Sequence, residues 1–327
     1  MKLLLTRFML LVTCFAVTAC STKLNTQQYS GMLYFAEGQT IYALDMKSRE
    51  ARSIYYNQAL VITSLYEIDQ DHLLMSATEF GPMQGDDLHQ NTEQSTGSYF
   101  PRDHTYVFDL ITRSVTPVAE GAYDVGDAVY MRKYDAIIFL GEQRNGTKRW
   151  GMYWIRRSEQ SKWYLIDANA GGQHPMAVAV SNDAIVYRDR DGRLMIYNFA
   201  NNMVSVLNIS NCYPVLWRSV TQQLLCGDPE EKWPYYFLIS LDGKGREKLP
   251  INGFNFGPLA YIRKYDLMLL SSRSGKFSWE YMRPYEGGDL WTYDFKIGQL
   301  EKFLAGSEAT SGAVWYPSAI TSNKAEP

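Results

Sequence analysis

The sequence predicts an all-β protein: a β-propeller in which six blades of four antiparallel strands form a closed ring. Three observations predict it. A strand–turn–strand unit recurs along the chain, third strands repeatedly end in Asp or Asn, and the two ends of the chain lack complementary strands. Beyond the N-terminal segment, no stretch has the apolar spacing of an amphipathic helix. Aromatic residues make up 14% of the chain, which suits strands because flat rings pack well on a pleated surface.

The recurring unit is clearest in a nearly literal repeat. Residues 130–135 (YMRKYD) precede the apolar run AIIFL, and residues 261–266 (YIRKYD) precede LMLL. The same plan of apolar strand, polar turn and apolar strand occurs with other letters at 64–77, 177–189 and 214–228. Such units are typical of β-hairpins.

A second pair of strands follows each hairpin. The third strand tends to end in an aromatic or apolar residue followed by Asp or Asn, and a polar turn leads to the fourth strand. The clearest third strands are IYALD (41–45), YVFDL (106–110), MIYNF (195–199) and LWTYD (290–294). Four-stranded units that start near residues 60, 124, 175, 213 and 256 indicate the blades of a propeller.

The two ends of the chain supply the sixth blade together. Residues 312–320 read as a first strand without partners, and residues 31–56 supply second, third and fourth strands without a first. We therefore expect the C-terminal strand to complete the N-terminal blade, which leaves no open sheet edge. The predicted propeller spans residues 31–320, with a short tail at 321–327. Deletion of residues 312–327 should then unfold the domain.

With this repeat pattern, residues 31–320 resemble the six-bladed, TolB-like propeller group. The resemblance implies the architecture of that group.

The N-terminus indicates secretion and a lipid anchor. Lys2 and Arg7 precede the apolar run 8–17, as in a secretory signal peptide, which we place at residues 1–19. Residues 17–20 (VTAC) resemble a bacterial lipobox, which implies that Cys20 carries the lipid. The alternative is an ordinary signal peptide that happens to contain a cysteine.

The segment after Cys20 reads as a tether to the membrane. Residues 20–30 are polar after the cysteine, which favours a flexible linker. Neither Ser21 nor Thr22 is the Asp that resembles an inner-membrane retention signal. These features predict a cell-envelope protein, lipid-anchored in the outer membrane and facing the periplasm.

The charge balance argues against nucleic acid as a partner. Without residues 1–19, which hold two of the 32 basic residues, the chain has 30 basic and 35 acidic residues, a net charge of −5. Nucleic-acid binding needs a basic stripe that neutralises phosphates, and the chain has no long basic run.

Two cysteines other than Cys20 belong to the predicted propeller. Cys212 and Cys226 fall on neighbouring strands of one blade, where centring the turn places Cys226 opposite Pro214. An oxidising compartment favours a disulfide between them, and the alternative is two buried free thiols.

No cofactor, metal or catalytic constellation is predicted. None of the four histidines stands at metal-ligand spacing to another one; they are His72, His89, His104 and His174. Residues 188–192 (RDRDG) have some acidic spacing of a calcium loop but lack its distal Glu, which favours a hairpin turn.

Aromatic side chains in or beside predicted loops are candidates for binding. These are Trp150, Trp233, Trp279, Tyr281 and Tyr285, together with Arg283. Exposed aromatic residues stack on sugars or anchor protein partners. The alternative is packing between neighbouring blades.

Loop lengths point to one face of the propeller. Turns from first to second and from third to fourth strands are short, whereas 79–103 and 273–288 are long and both belong to the opposite face. Long loops in compact domains are usually functional or disordered. His89 and Arg102 are the candidate contact residues of the first one.

These observations favour a non-catalytic scaffold that binds an envelope protein through its long loops. A glycan-binding or glycan-cleaving propeller is the alternative, with polysaccharide as the partner and Glu280, Glu286 or Asp289 as the acid. A small-ligand sensor that uses the central channel is a third possibility.

Overall fold

The computed structural model describes residues 29–81, 100–119, 122–123, 128–143, 149–171, 177–228, 235–253, 255–272, 277–278, 283–284, 288–309 and 311–317. The predicted signal peptide, Cys20, most of the tether and the tail at 321–327 lie outside these residues. Among the residues described, no helix is long and apolar enough to cross a bilayer.

The first three blades follow one another along the chain. Blade 1 consists of β1 (Met32–Glu37), β2 (Thr40–Asp45), β3 (Glu50–Tyr56) and the last strand, β27 (Ser311–Tyr316). Blade 2 consists of β4 (Leu60–Asp69), β5 (His72–Gly81), β6 (Phe100–Asp109) and β7 (Val115–Pro117). Blade 3 consists of β8 (Ala122–Tyr123), β9 (Val129–Met131), β10 (Ala136–Gln143), β11 (Arg149–Arg156) and β12 (Glu159–Asp167). In blade 3, β8 and β9 both pair with β10, so together they form an interrupted first strand.

The last three blades repeat the plan. Blade 4 consists of β13 (Ala177–Ala179), β14 (Ala184–Arg188), β15 (Leu194–Asn198) and β16 (Met203–Val206). Blade 5 consists of β17 (Tyr213–Arg218), β18 (Gln223–Gly227), β19 (Tyr235–Ser240) and β20 (Glu247–Asn252). Blade 6 consists of β21 (Phe256–Ile262), β22 (Leu267–Ser272), β25 (Gly288–Asp294) and β26 (Gln299–Ala309). A hairpin of β23 (Phe277–Ser278) and β24 (Arg283–Pro284) is inserted in blade 6.

The ring closes as predicted, with one C-terminal and three N-terminal strands in blade 1. Strand β27 pairs antiparallel with β1, Met32 opposite Tyr316 and Phe35 opposite Ala313. The innermost strands of the six blades contact each other in the order β27, β4, β9, β13, β17, β21 and back to β27. The Tyr316 hydroxyl donates to the Asp69 carbonyl at 2.6 Å, which ties blade 1 to blade 2.

The core is six separate layers, one between each pair of neighbouring blades. For example, Tyr34 of blade 1 and Leu73 of blade 2 share one layer, and Leu33 and Leu267 share the layer between blades 1 and 6. Inner strands are therefore buried on both sides, and they read as continuous apolar runs such as Leu267–Leu270. The outermost strand β3 is mostly exposed, because among the described strands it pairs only with β2.

The Asp or Asn at the end of the third strands caps the turn that follows. Asp45, Asp109, Asn198 and Asp294 each accept a hydrogen bond from the backbone N–H two residues later. Such side chains mimic a backbone turn and compete well with other conformations. The repeated acid or amide that marks the blades in the sequence is thus a repeated turn cap.

Gly312 fits the closing strand because it has no side chain. Its φ is +63°, and a Cβ there would lie 2.3 Å from the Leu65 backbone nitrogen. We expect Gly312→Ala to lower the free energy of unfolding by about 1–2 kcal/mol for the left-handed conformation and about 1–3 kcal/mol more for the overlap. Denaturant melts measure it. Gly38→Ala is the control, because Gly38 also has positive φ (+56°) but open space around it. Equal losses in both variants would contradict this account of the closure.

Candidate functional site

The connections divide unequally between the two faces of the ring. On the short-turn face, the turns from first to second and from third to fourth strands have no more than the six residues of 241–246. On the long-connection face, second-to-third connections reach the eighteen residues of 82–99 and the fifteen of 273–287. The division is the predicted one. The first long connection is shorter than the predicted 79–103. Strands β5 and β6 stay paired as far as Gly81 and Phe100, so the connection is limited to 82–99.

The first RKYD turn joins blade 3 to its neighbours on the short-turn face. Asp135 takes the left-handed conformation and accepts a hydrogen bond from the Tyr130 hydroxyl at 2.7 Å. Burial, and then the bond to Asp135, raise the pKa of Tyr130 to about 12. Lys133 and Tyr134 both donate to Asp183 of blade 4.

The second RKYD turn repeats the hydrogen bond from Tyr to Asp and adds a buried ion pair. Asp266 is again left-handed and accepts from the Tyr261 hydroxyl at 2.8 Å. Arg218 of blade 5 donates to both oxygens of Asp266, at 2.9 and 2.6 Å. Tyr265 bonds to Ser30 of blade 1. The literal repeat in the sequence is therefore a latch between blades, and it serves the fold.

The RDRDG segment on the long-connection face is a hairpin turn, as the sequence favours. Asp189 is buried and accepts from the backbone N–H and from Nε of Arg193, at 2.8 and 2.7 Å. Its negative charge is thus balanced by an arginine. Within the part of the chain that the structure describes, no group of three or more His, Cys, Asp or Glu side chains could hold a metal ion.

The root of the 82–99 connection holds a small titratable group. His104 Nε2 lies 3.5 Å from a carboxylate oxygen of Glu79, with Tyr106 beside the imidazole ring. Burial, followed by the charges of Glu79 and Tyr55, raises the pKa of Tyr106 to about 12. Tyr106 thus stays neutral at physiological pH. The group can form an ion pair when His104 is protonated.

Asp289 is poorly suited to act as a glycosidase acid. It accepts hydrogen bonds from Lys302 Nζ and from the Gly306 backbone N–H, and these hold the pKa of its carboxyl below its usual value. A general acid in glycoside cleavage needs a raised pKa. The two other candidate acids, Glu280 and Glu286, lie outside the described residues.

The structure describes some of the candidate binding residues and not others. Trp150 lies in β11, half-buried, and packs against the layer between blades 3 and 4. This is the inter-blade packing that stood as the alternative to an exposed stacking role. Arg102 and Arg283 belong to strands, β6 and β24. The remaining candidates lie in the parts of the chain that the structure does not describe: His89, Trp233, Trp279, Tyr281 and Tyr285.

A disulfide joins Cys212 and Cys226 in blade 5, with the Cα atoms 5.0 Å apart. Pro214 is the residue opposite Cys226, so the bond runs diagonally between the strands. The sequence left the choice between this bond and two free thiols open.

We expect the Cys212→Ser/Cys226→Ser double variant to lose about 3 kcal/mol of stability, the size expected for closing a loop of about fifteen residues. The oxidised and reduced wild type, compared in denaturant melts, gives the same quantity. Intact mass should fall by two hydrogens in the oxidised form. A wild type that gains no mass on reduction would contradict the bond.

One group of side chains on the short-turn face was not predicted from the sequence. Basic residues and Ile297 occupy the turn tips of blades 6 and 1, beside the point where the chain enters β1 at Tyr29 and Ser30. The basic residues and the isolated Ile297 are visible in the turn sequences 46–49 (MKSR) and 295–298 (FKIG). What the sequence does not give is their closeness to the N-terminal entry.

The described residues define a six-bladed β-propeller with two unequal faces. Its ring is closed by pairing between the first and last strands, β1 and β27. No protein-family model matches the sequence, and no curated protein matches it.

Solved structures share the fold. TolB from Acinetobacter baumannii aligns with TM-score 0.62 at 12% identity, over 88% of this chain and 67% of that chain. A TolB-type chain from Agrobacterium tumefaciens gives 0.60 at 11%, over 88% and 100%. A chain of a nidogen/laminin complex gives 0.60 at 10%, over 89% and 100%. The predicted likeness to TolB-type propellers is confirmed, and at these identities it is a likeness of fold.

Proposed function

We propose that this protein is a lipid-anchored envelope scaffold that binds a protein partner through its long-connection face. The lipid is attached at Cys20, and the outer membrane is the site of anchoring. The chain needs no catalytic group for this role.

The unequal division of connections is the observation that carries the proposal. On the short-turn face, residues such as Tyr134 and Tyr265 are engaged in bonds between blades. Its turns are short, so they offer little room for variation. The long-connection face carries the insertions 82–99 and 273–287 on an otherwise regular scaffold. Binding residues are concentrated on loops that a rigid scaffold positions.

The structural neighbours are consistent with this role. One similar propeller comes from a complex of two proteins, nidogen and laminin, and two others are TolB chains. A glycan-cleaving role has less support, since the Lys302 bond holds Asp289 in its ionised form.

The experiment replaces each long connection and follows the captured proteins. Residues 82–99 give way to Asn-Gly, which can close the hairpin because Gly81 and Phe100 already face each other. Residues 273–287 are replaced in a second variant. Ile111→Asn, an exposed position on the short-turn face, is the matched control. Each protein is affinity-purified from crosslinked cells, and its folding is checked by thermal melting.

We expect the wild type and Ile111→Asn to capture the same envelope protein and at least one replacement variant to lose it several-fold. Capture that is unchanged in both folded replacement variants would contradict the proposed face. If the wild type retains envelope polysaccharide and no protein, the scaffold proposal is wrong and the glycan alternative takes its place.

A further inference from the structure

The short-turn face carries a compact basic and apolar group around the entry of the N-terminal chain. We call it the tether-exit patch. It consists of Lys47, Arg49, Arg263, Lys264, Lys296 and Ile297, all exposed and all in turns of blades 1 and 6. Ile297 is 67% exposed, more than any other large apolar side chain in the described part of the chain.

The patch adjoins the point at which the tether meets the propeller. Lys264 Nζ donates to Ser30 Oγ at 3.3 Å. The Arg49 guanidinium lies over the Phe303 ring, 5.1 Å from its centroid, and the rings of Phe303 and Tyr29 are 6.1 Å apart. Since β1 is a second strand, it starts at the short-turn face. Tyr29 and Ser30, where the described chain begins, therefore lie beside these cations.

Nearby acids neutralise the patch only in part. The carboxylates of Asp45 and Asp294 turn back to accept from the backbone of their own turns. Asp266 is buried against Arg218. Glu50 is exposed next to Arg49, and the half-buried Glu301 lies near Tyr29 together with Arg49 and Asp294.

We infer that the tether-exit patch rests on the anionic phospholipid headgroups of the bilayer in which Cys20 is anchored. Lys and Arg near a membrane surface are attracted to anionic lipids, and an exposed apolar side chain among them can enter the interface. The eight residues between Cys20 and Tyr29 let these two residues lie at most about 30 Å apart, which keeps this face close to the bilayer.

This inference rests on the proposed lipid anchor and adds an orientation to it. With the patch on the bilayer, the long-connection face points away from the membrane, toward a protein partner. The second-to-third connection 82–99 contains three acids and no Lys or Arg, so that segment gains nothing from contact with an anionic surface.

The test uses the full lipoprotein in vesicles of phosphatidylethanolamine and phosphatidylglycerol that contain a headgroup-linked quencher. A dye is attached at Ile297→Cys or, for comparison, at Tyr56→Cys, which is 61% exposed at the long-connection end of β3. With Cys20 acylated and Cys212 and Cys226 bonded, the introduced cysteine is the one that reacts. Flotation of the vesicles reports anchoring, and quenching reports orientation.

We expect the dye at Ile297→Cys to be quenched several-fold more than the dye at Tyr56→Cys. The Arg263→Glu/Lys296→Glu variant should reduce this ratio, whereas Lys162→Glu/Arg190→Glu, an equal charge change on an outer strand and on the long-connection face, should keep it. Equal quenching at both positions in protein that floats would overturn the orientation alone. Protein that does not float would overturn the lipid anchor, and the orientation with it.

Discussion

Deletion of residues 312–327 is expected to abolish the cooperative unfolding transition of the whole propeller. The deletion removes the innermost strand of blade 1, whose Val314 and Tyr316 are buried against blade 2. A buried apolar side chain of this size contributes about 1.5–3 kcal/mol, and a hydrogen bond about 1 kcal/mol. The loss is comparable with the entire net stability of a typical protein, about 5–15 kcal/mol. Circular dichroism during thermal unfolding measures the transition.

A circular permutant distinguishes the loss of the closing strand from the shortening of the chain. Residues 311–317 are placed before Ser30 through a short turn, and the chain then ends at residue 309. The two ends are already adjacent, since the Trp315 indole N–H donates to the Ser30 carbonyl at 3.1 Å. The permutant should melt cooperatively. A truncated chain that melts as sharply as the wild type would show that the ring does not depend on its C-terminal strand.

Arg218→Ala is expected to cost about 3–5 kcal/mol, the usual effect of removing one partner of a buried ion pair. The side chains of Arg218 and Asp266 are only 14% and 6% exposed, so the mutation leaves a carboxylate without its cation. The other copy of the repeat provides the control. Arg157 pairs with Asp135 and with Asp69, but Arg157 is 35% exposed and the two acids 41% and 38%, and exposed pairs contribute about 0–1 kcal/mol each. Urea melts of both variants give the comparison.

The Arg218 effect should also depend on pH in a defined direction. The bond from Arg218 holds the pKa of the Asp266 carboxyl below its usual value. A carboxyl whose pKa is depressed by folding stabilises the fold fully above its unfolded pKa, about 3.9, and this contribution is lost as the pH falls through the folded pKa. The difference between wild type and Arg218→Ala should therefore be largest near neutral pH and shrink below about pH 4. A difference that grows on acidification would contradict the ion pair.

Much of the fold could be predicted because the determinants of each blade are local. Asp45 and Asp294 cap the turn that follows them within two or three residues, so the signal recurs in the sequence at every capped turn. The closing strand could be predicted from strand counts alone, because the C-terminal strand has no partner and the N-terminal blade has no first strand. The same strand order assigns successive connections to opposite faces, so the long and the short connections could be sorted from the sequence.

The latches between blades could not be predicted, because their partners are distant and do not repeat. Tyr134 bonds to an Asp in blade 4, whereas Tyr265, at the equivalent position, bonds to Ser30. Tyrosines at equivalent positions of the repeat therefore bond to different residues. The choice between disulfide and free thiols at Cys212 depended on a diagonal geometry that strand register alone leaves open. Trp150 shows the same limit, since a half-buried position is indistinguishable by sequence from an exposed one.

Site-specific photo-crosslinking in living cells tests whether the long-connection face binds a protein. A photoreactive phenylalanine replaces Tyr56 or Val206, both exposed at the long-connection ends of outer strands, and in parallel Ile111 or Val220 on the short-turn face. We expect a discrete protein adduct from at least one of the first two positions and none from the last two. A protein adduct confined to Ile111 and Val220 would contradict it.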